Sequence, residues 1–192
     1  MHDFSSTADR ILHPSSLHRP SDVNEAPRVK GIYGWLFTPG SLPVPDASYS
    51  YTDGFALMYV GIAPKKPDSN GKESTSRLRP RLAAHYNRDA SRSTLRLTLG
   101  VLLAEELSLS LGVHGGRLNW GVDGEAQLTR WINANARVAW AENSTPWDVE
   151  DELLAYATLA LNIDGRTDAF SRELRDRRDR VRSNARIASA RF

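Results

Sequence analysis

Hydrophobic and polar positions along the chain switch between two periods. GIYGWLF (Gly31–Phe37) and ALMYVGIA (Ala56–Ala63) are aromatic and β-branched, bounded by Gly and Pro, and read as strands. The turn-rich TPGSLPVPDASYSYTDG between them makes the pair a hairpin with a long loop. A third strand, ARVAWAE (Ala136–Glu142), sets Val138 and Trp140 on one face. Helical spacing appears in RLRPRLAAHY, where Pro80 must fall within the first turn. It recurs in STLRLTLGVLLAEEL, with Leu95, Leu99, Leu102 and Leu103 in step and Ser93 as a cap, and in EAQLTRWINAN. LGVHGGRLNWGVDG reads as a loop.

This order predicts an α/β domain: a small, mainly antiparallel three-stranded sheet flanked by helices. Residues 1–27 lack periodicity, save a short turn at Ala8–Leu12, and read as an arm. Residues 28–163 form the domain, with a helical insertion at about 88–133, and 164–192 form a basic helix.

The segment PWDVEDELLAYATLALN (Pro146–Asn162) poses the sharpest question. Thr145 suits an N-cap, Pro146 the first helical position, and Asp148 a capping box. At about 100° per residue, Trp147, Leu153, Leu154, Ala157 and Leu161 share one face, and Glu150 falls in its middle. A carboxylate on an apolar face needs a partner. A rim ion pair to an arginine would supply one, and so would a ligand.

Composition narrows the chemistry. The 192 residues, 40% hydrophobic, suffice for one proper core. No cysteine is present, which excludes disulfides, thiolate metal clusters and a cysteine nucleophile. No apolar run approaches a membrane span, and MHDFSSTADRILHP lacks the apolar core of a signal peptide, so a cytoplasmic protein is expected. Net charge is only +2, but nine arginines against four acids lie between Arg166 and Phe192. Guanidinium groups suit phosphate, although i,i+4 pairs such as Glu173–Arg177 on a solvated helix account equally for that segment.

Three further features accompany Glu150. Arg81 and His85 stand four apart beside Leu78 and Leu82, a spacing that also fits an amphipathic helix with snorkelling side chains. Tyr33 and Tyr59 sit near Gly34 and Gly61 in the strands, where glycine often marks a bulge or a close approach. Asn162 lies twelve residues beyond Glu150 and also suits a helix C-cap.

Taken in order, GIY at Gly31–Tyr33, YVG at Tyr59–Gly61, R-x-x-x-H at Arg81–His85 and E-x-x-L-L followed by Asn162 resemble the GIY-YIG nuclease domain over roughly residues 31–162. STLRLTLG and PWDVEDELL are similar to a bacterial branch of such proteins. Two departures stand out: twenty-five residues separate Tyr33 from Tyr59, a longer connection than the family's, and Val60 replaces the usual Ile.

The resemblance implies an endonuclease that hydrolyses DNA phosphodiesters with one divalent metal, Mg2+ or Mn2+, on Glu150. It also implies that Arg81 binds the scissile phosphate, Tyr33 activates or orients water, Tyr59 and His85 complete a polar network, and Asn162 orients its neighbours. Arg92 and Arg96, the loops at Lys65–Lys66 and His114–Arg117, and the arginine-rich end are candidates for further nucleic-acid contacts. RNA stays open beside DNA. A homodimer is one way for a one-site enzyme to cut both strands. The rival readings are a non-catalytic nucleic-acid-binding module of the same fold, and an interaction domain with chance tripeptides. Trp35, Trp131, Trp140 and Trp147 are assigned to packing, with Trp120, in its glycine-bracketed loop, the one candidate for base stacking.

Overall fold

The computed structural model describes residues 4–45 and 50–190, so positions 46–49 of the long hairpin loop, and positions 1–3 and 191–192, lie outside the described residues. The centre of the fold is strand β1 (Gly31–Phe37), buried along its whole length. It pairs antiparallel with β3 (Phe55–Ala63) on one side and β6 (Ala136–Glu142) on the other. A two-residue strand β2 (Tyr51–Thr52) adds an edge to β3, giving the order β2-β3-β1-β6 and four strands rather than the expected three. The ALMYVGIA run thus lengthens by Phe55, the residue that pairs with Thr52.

Alternation sends opposite sides of β1 into two cores. Tyr33, Trp35 and Phe37 face one cluster, with Leu78, Leu82, Leu95 and Leu99. Ile32 and Leu36 face the other, with Ile11, Leu12, Val149 and Leu153. The first core holds helices α2 (Leu78–Asn87), α3 (Thr94–Leu102), α4 (Gly121–Asn135) and α6 (Ala169–Ser189). The second holds α1 (Ser6–Leu12) and α5 (Pro146–Tyr156).

The N-terminal segment is fastened down. Ala8, Ile11 and Leu12 are fully buried, and α1 is capped by Ser5, whose side chain accepts from the Ala8 N–H. Glu152 ties α1 to α5, accepting from the Ser5 N–H at 2.7 Å and the Ser5 hydroxyl at 2.6 Å. His18 pairs with Val138 and stacks on Trp140 at 3.8 Å.

Two expectations change. The helix expected to run up to a cap at Asn162 stops at Tyr156, and its capping box does not form: Thr145 makes no side-chain cap, while Asn143 accepts from the Thr145 N–H. The chain leaves the helix to satisfy the edge of β3, which short β2 leaves open. Leu161 N–H donates to the Met58 carbonyl at 2.9 Å, and the Asn162 amide bonds both backbone groups of Val60, at 2.8 and 2.9 Å. Leu161 therefore leaves the helix face, and Leu154 is exposed. The second change is the loop after α3, where β4 (Gly112–His114) and β5 (Arg117–Asn119) form a two-stranded ribbon. Gly115 and Gly116, both at positive φ, make its turn.

Candidate active site

Tyr33 and Gly61 are direct partners across the β1–β3 pair. A Cβ on Gly61 would lie 2.5 Å from the Tyr33 hydroxyl, so the glycine exists to let that ring cross the strand. Gly31 is as crowded, against the Ala141 carbonyl and Leu78. The glycines of both tripeptides thus serve close approach.

From this platform runs a buried chain of polar groups. The Tyr33 hydroxyl lies 2.7 Å from His85 Nε2 and accepts from Arg81 Nε at 3.3 Å. His85 Nδ1 lies 2.6 Å from the Ser93 hydroxyl, which also caps α3 by accepting from the Arg96 N–H at 2.9 Å. Arg81 and His85 occupy one face of α2, four residues apart, and this spacing lets both reach Tyr33. Tyr59 interacts with Arg81 and with Thr94 at the start of α3.

Tyr33, Tyr59, Arg81, Glu150 and Asn162 line a single cleft of about 1330 Å³, and His85 lies behind Tyr33. Glu150 does not sit in the middle of the buried face of α5, which is made by Pro146, Val149 and Leu153. It lies half-buried beside that face, with no hydrogen bond or ion pair to its carboxylate among the described residues. Burial, reinforced by Asp151, pushes its pKa up to about 7, against the pull of Lys65 and Arg81.

Burial likewise holds the Tyr33 phenol far above its ordinary pKa, with Tyr59 adding to the rise and Arg81 only partly offsetting it. The Tyr59 phenol is raised for the same reason. His85 is shifted well below the ordinary histidine value by burial and by the Arg81 charge. At neutral pH this network is therefore uncharged apart from Arg81.

The two arginines expected to share a nucleic-acid role on sequence separate. Arg92 is exposed and lines the cleft. Arg96 is fully buried and occupied, with Nε 2.6 Å from Glu125 Oε2, Nη1 on the Tyr86 carbonyl, and Nη2 on the Glu125 carbonyl and Thr129. It braces α3 against α4 and has no face toward a ligand. Trp120 is core as well, 4% exposed and packed where a side chain on Gly100 would sit. Ser93 was legible only as a helix cap, because its second partner is brought to it by the turn between α2 and α3.

The family model of the GIY-YIG catalytic domain matches residues 31–184, most of the chain. The chain belongs to this family. No curated protein and no solved structure matches it. The matched range takes in the insertion after α2 and most of α6. Nuclease chemistry on nucleic acid, generally dependent on a divalent metal, is the activity of such domains.

The cleft suits that chemistry. Glu150 offers an unpaired oxygen ligand, and the described residues contain no group of three or more His, Cys, Asp or Glu placed to hold a metal together. A single carboxylate, with its remaining positions left to water and phosphate, fits a hard cation such as Mg2+. Among the described residues no helix is long and apolar enough to cross a membrane.

Proposed function

We propose that the protein is a metal-dependent endonuclease that hydrolyses phosphodiester bonds in DNA, with Glu150 as the sole protein ligand of Mg2+ or Mn2+. The observation that carries this reading is the meeting of Tyr33, Tyr59, Arg81 and an unpaired Glu150 in one cleft. Glu150 would hold the divalent cation, which would supply positive charge for the phosphoryl and leaving oxygens. Arg81 binds the scissile phosphate, and its contacts to Tyr33 and Tyr59 aim it into the cleft.

Burial keeps the Tyr33 phenol protonated and His85 neutral, which favours a water-orienting role for Tyr33 over that of an ionised base. His85 and Ser93 hold the Tyr33 hydroxyl in place from behind. Asn162 acts at one remove, fixing the backbone between Tyr59 and Gly61.

The test is cleavage of supercoiled plasmid and of branched DNA in Mg2+, Mn2+ or chelator, beside Glu150→Ala. Metal-dependent nicking that the substitution removes supports the reading. Plasmid left intact in every metal, while the chain still binds DNA, would leave a nucleic-acid-binding module of the same fold. A single site must act twice, or in two chains, to cut a duplex, and the ratio of nicked to linear product separates those routes.

A further inference from the structure

The cleft extends well past the scissile site. Its far wall is α6 together with the β4–β5 ribbon, and its lining holds eight Lys or Arg against four Asp or Glu. On that wall Arg178 is an anomaly, being only 8% exposed and incompletely satisfied. Nη1 reaches Thr98 at a long 3.3 Å, Nη2 lies 3.7 Å from the exposed Asp164, and Nε has no partner among the described residues. A guanidinium desolvated without full pairing is costly unless an anion completes it.

Arg182 and Arg186 follow at i+4 and i+8 and line the same cleft. Three residues so spaced stand about 6 Å apart along the helix, close to the repeat of phosphates in an extended strand. Other arginines of α6 are used inside the fold: Arg175 binds the Ile163 and Arg166 carbonyls, and Arg177 the Val101 carbonyl. The acids on this wall, Asp164 and Asp179, are exposed and pair loosely with Arg178 and Arg182.

We infer that α6 is a phosphate track: Arg178, Arg182 and Arg186 hold backbone phosphates of the substrate strand beyond the scissile one. This rests on the nuclease reading for its substrate, a DNA strand, but its test does not need cleavage.

Binding of a fluorescent single-stranded oligodeoxynucleotide to the full chain is measured in chelator across a salt series. The variants are Arg182→Ala/Arg186→Ala, and a control, Arg172→Ala/Arg180→Ala, that removes equal charge from α6 positions outside the cleft. The track predicts about a tenfold loss of affinity in the first pair, with the salt slope reduced by roughly 1.4 for two lost single-strand contacts. The control keeps nearly wild-type affinity and slope. Equal losses in both pairs, or none in the first, would overturn the track.

A second arm uses bis(p-nitrophenyl) phosphate with Mn2+, a diester that carries no neighbouring backbone phosphate for α6 to hold. The first pair hydrolyses it at the wild-type rate if α6 acts only on the strand. A matching loss there would mean a damaged site and would also overturn the track. A wild-type chain inert on diester and DNA alike, yet bound through Arg182 and Arg186, would refute the nuclease reading and leave the track standing.

Discussion

Two arginine–glutamate couples have opposite fates. Arg96 and Glu125 meet at 2.6 Å, and three backbone or hydroxyl acceptors take the other donors of Arg96, while Glu125 also accepts from the Ala90 and Trp120 N–H groups. Arg81 and Glu150 line the cleft without forming an ion pair: Arg81 is held by phenols, and Glu150 by nothing among the described residues. A charge whose partners are all internal fixes how helices dock. A charge left open at a cleft is held ready for a ligand, at a cost in stability.

Removing the open carboxylate should have the largest effect on function and little on folding. Glu150→Ala is expected to lower metal-dependent cleavage by at least about a thousandfold, as loss of the main electrostatic stabilisation implies. Its thermal midpoint should equal or exceed the wild type, because a half-buried unpaired acid has gone. A large fall in the midpoint would show Glu150 to be structural after all. Arg96→Ala should do the reverse, costing about 3–5 kcal/mol in urea melts by stranding Glu125. Activity per folded molecule should be near normal below the transition.

Arg81→Ala should cut the rate by about a hundredfold or more with the fold retained. Tyr33→Phe should cost less, on the order of tenfold to a hundredfold, if the phenol orients water without ionising. A loss in Tyr33→Phe as deep as in Glu150→Ala would restore it as the base.

The smallest effect is on stability against pH. Glu150 rises from 4.5 to about 7 on folding, so the folded chain holds the extra proton between those values, and stability falls as pH climbs through that window. His85 has the opposite sign: its folded pKa lies below 6.5, so the unfolded chain takes the proton first and stability falls as pH drops below 6.5. Urea melts of Glu150→Gln across this range should lose the first trend and keep the second.

The candidate site was legible because its local spacing is written in the chain. Gly31–Tyr33 and Tyr59–Gly61 carry strand signals, and Arg81 and His85 carry a one-turn helical spacing that needs no tertiary knowledge. Arg92 and Arg96 are as close in sequence, yet one is exposed and the other buried. Nothing local distinguishes them, since Glu125 comes from another helix twenty-nine residues on.

Periodicity and turn residues determined the elements, their order and the residues able to carry chemistry, because these depend on neighbours within a few positions. Tertiary structure alone decided that α5 ends at Tyr156 to serve the edge of β3, that Arg96 braces helices, and that α6 walls the cleft. Each of those outcomes turns on a backbone group, charge or surface satisfied by a segment distant in the chain, and such partners are chosen only when the whole core closes.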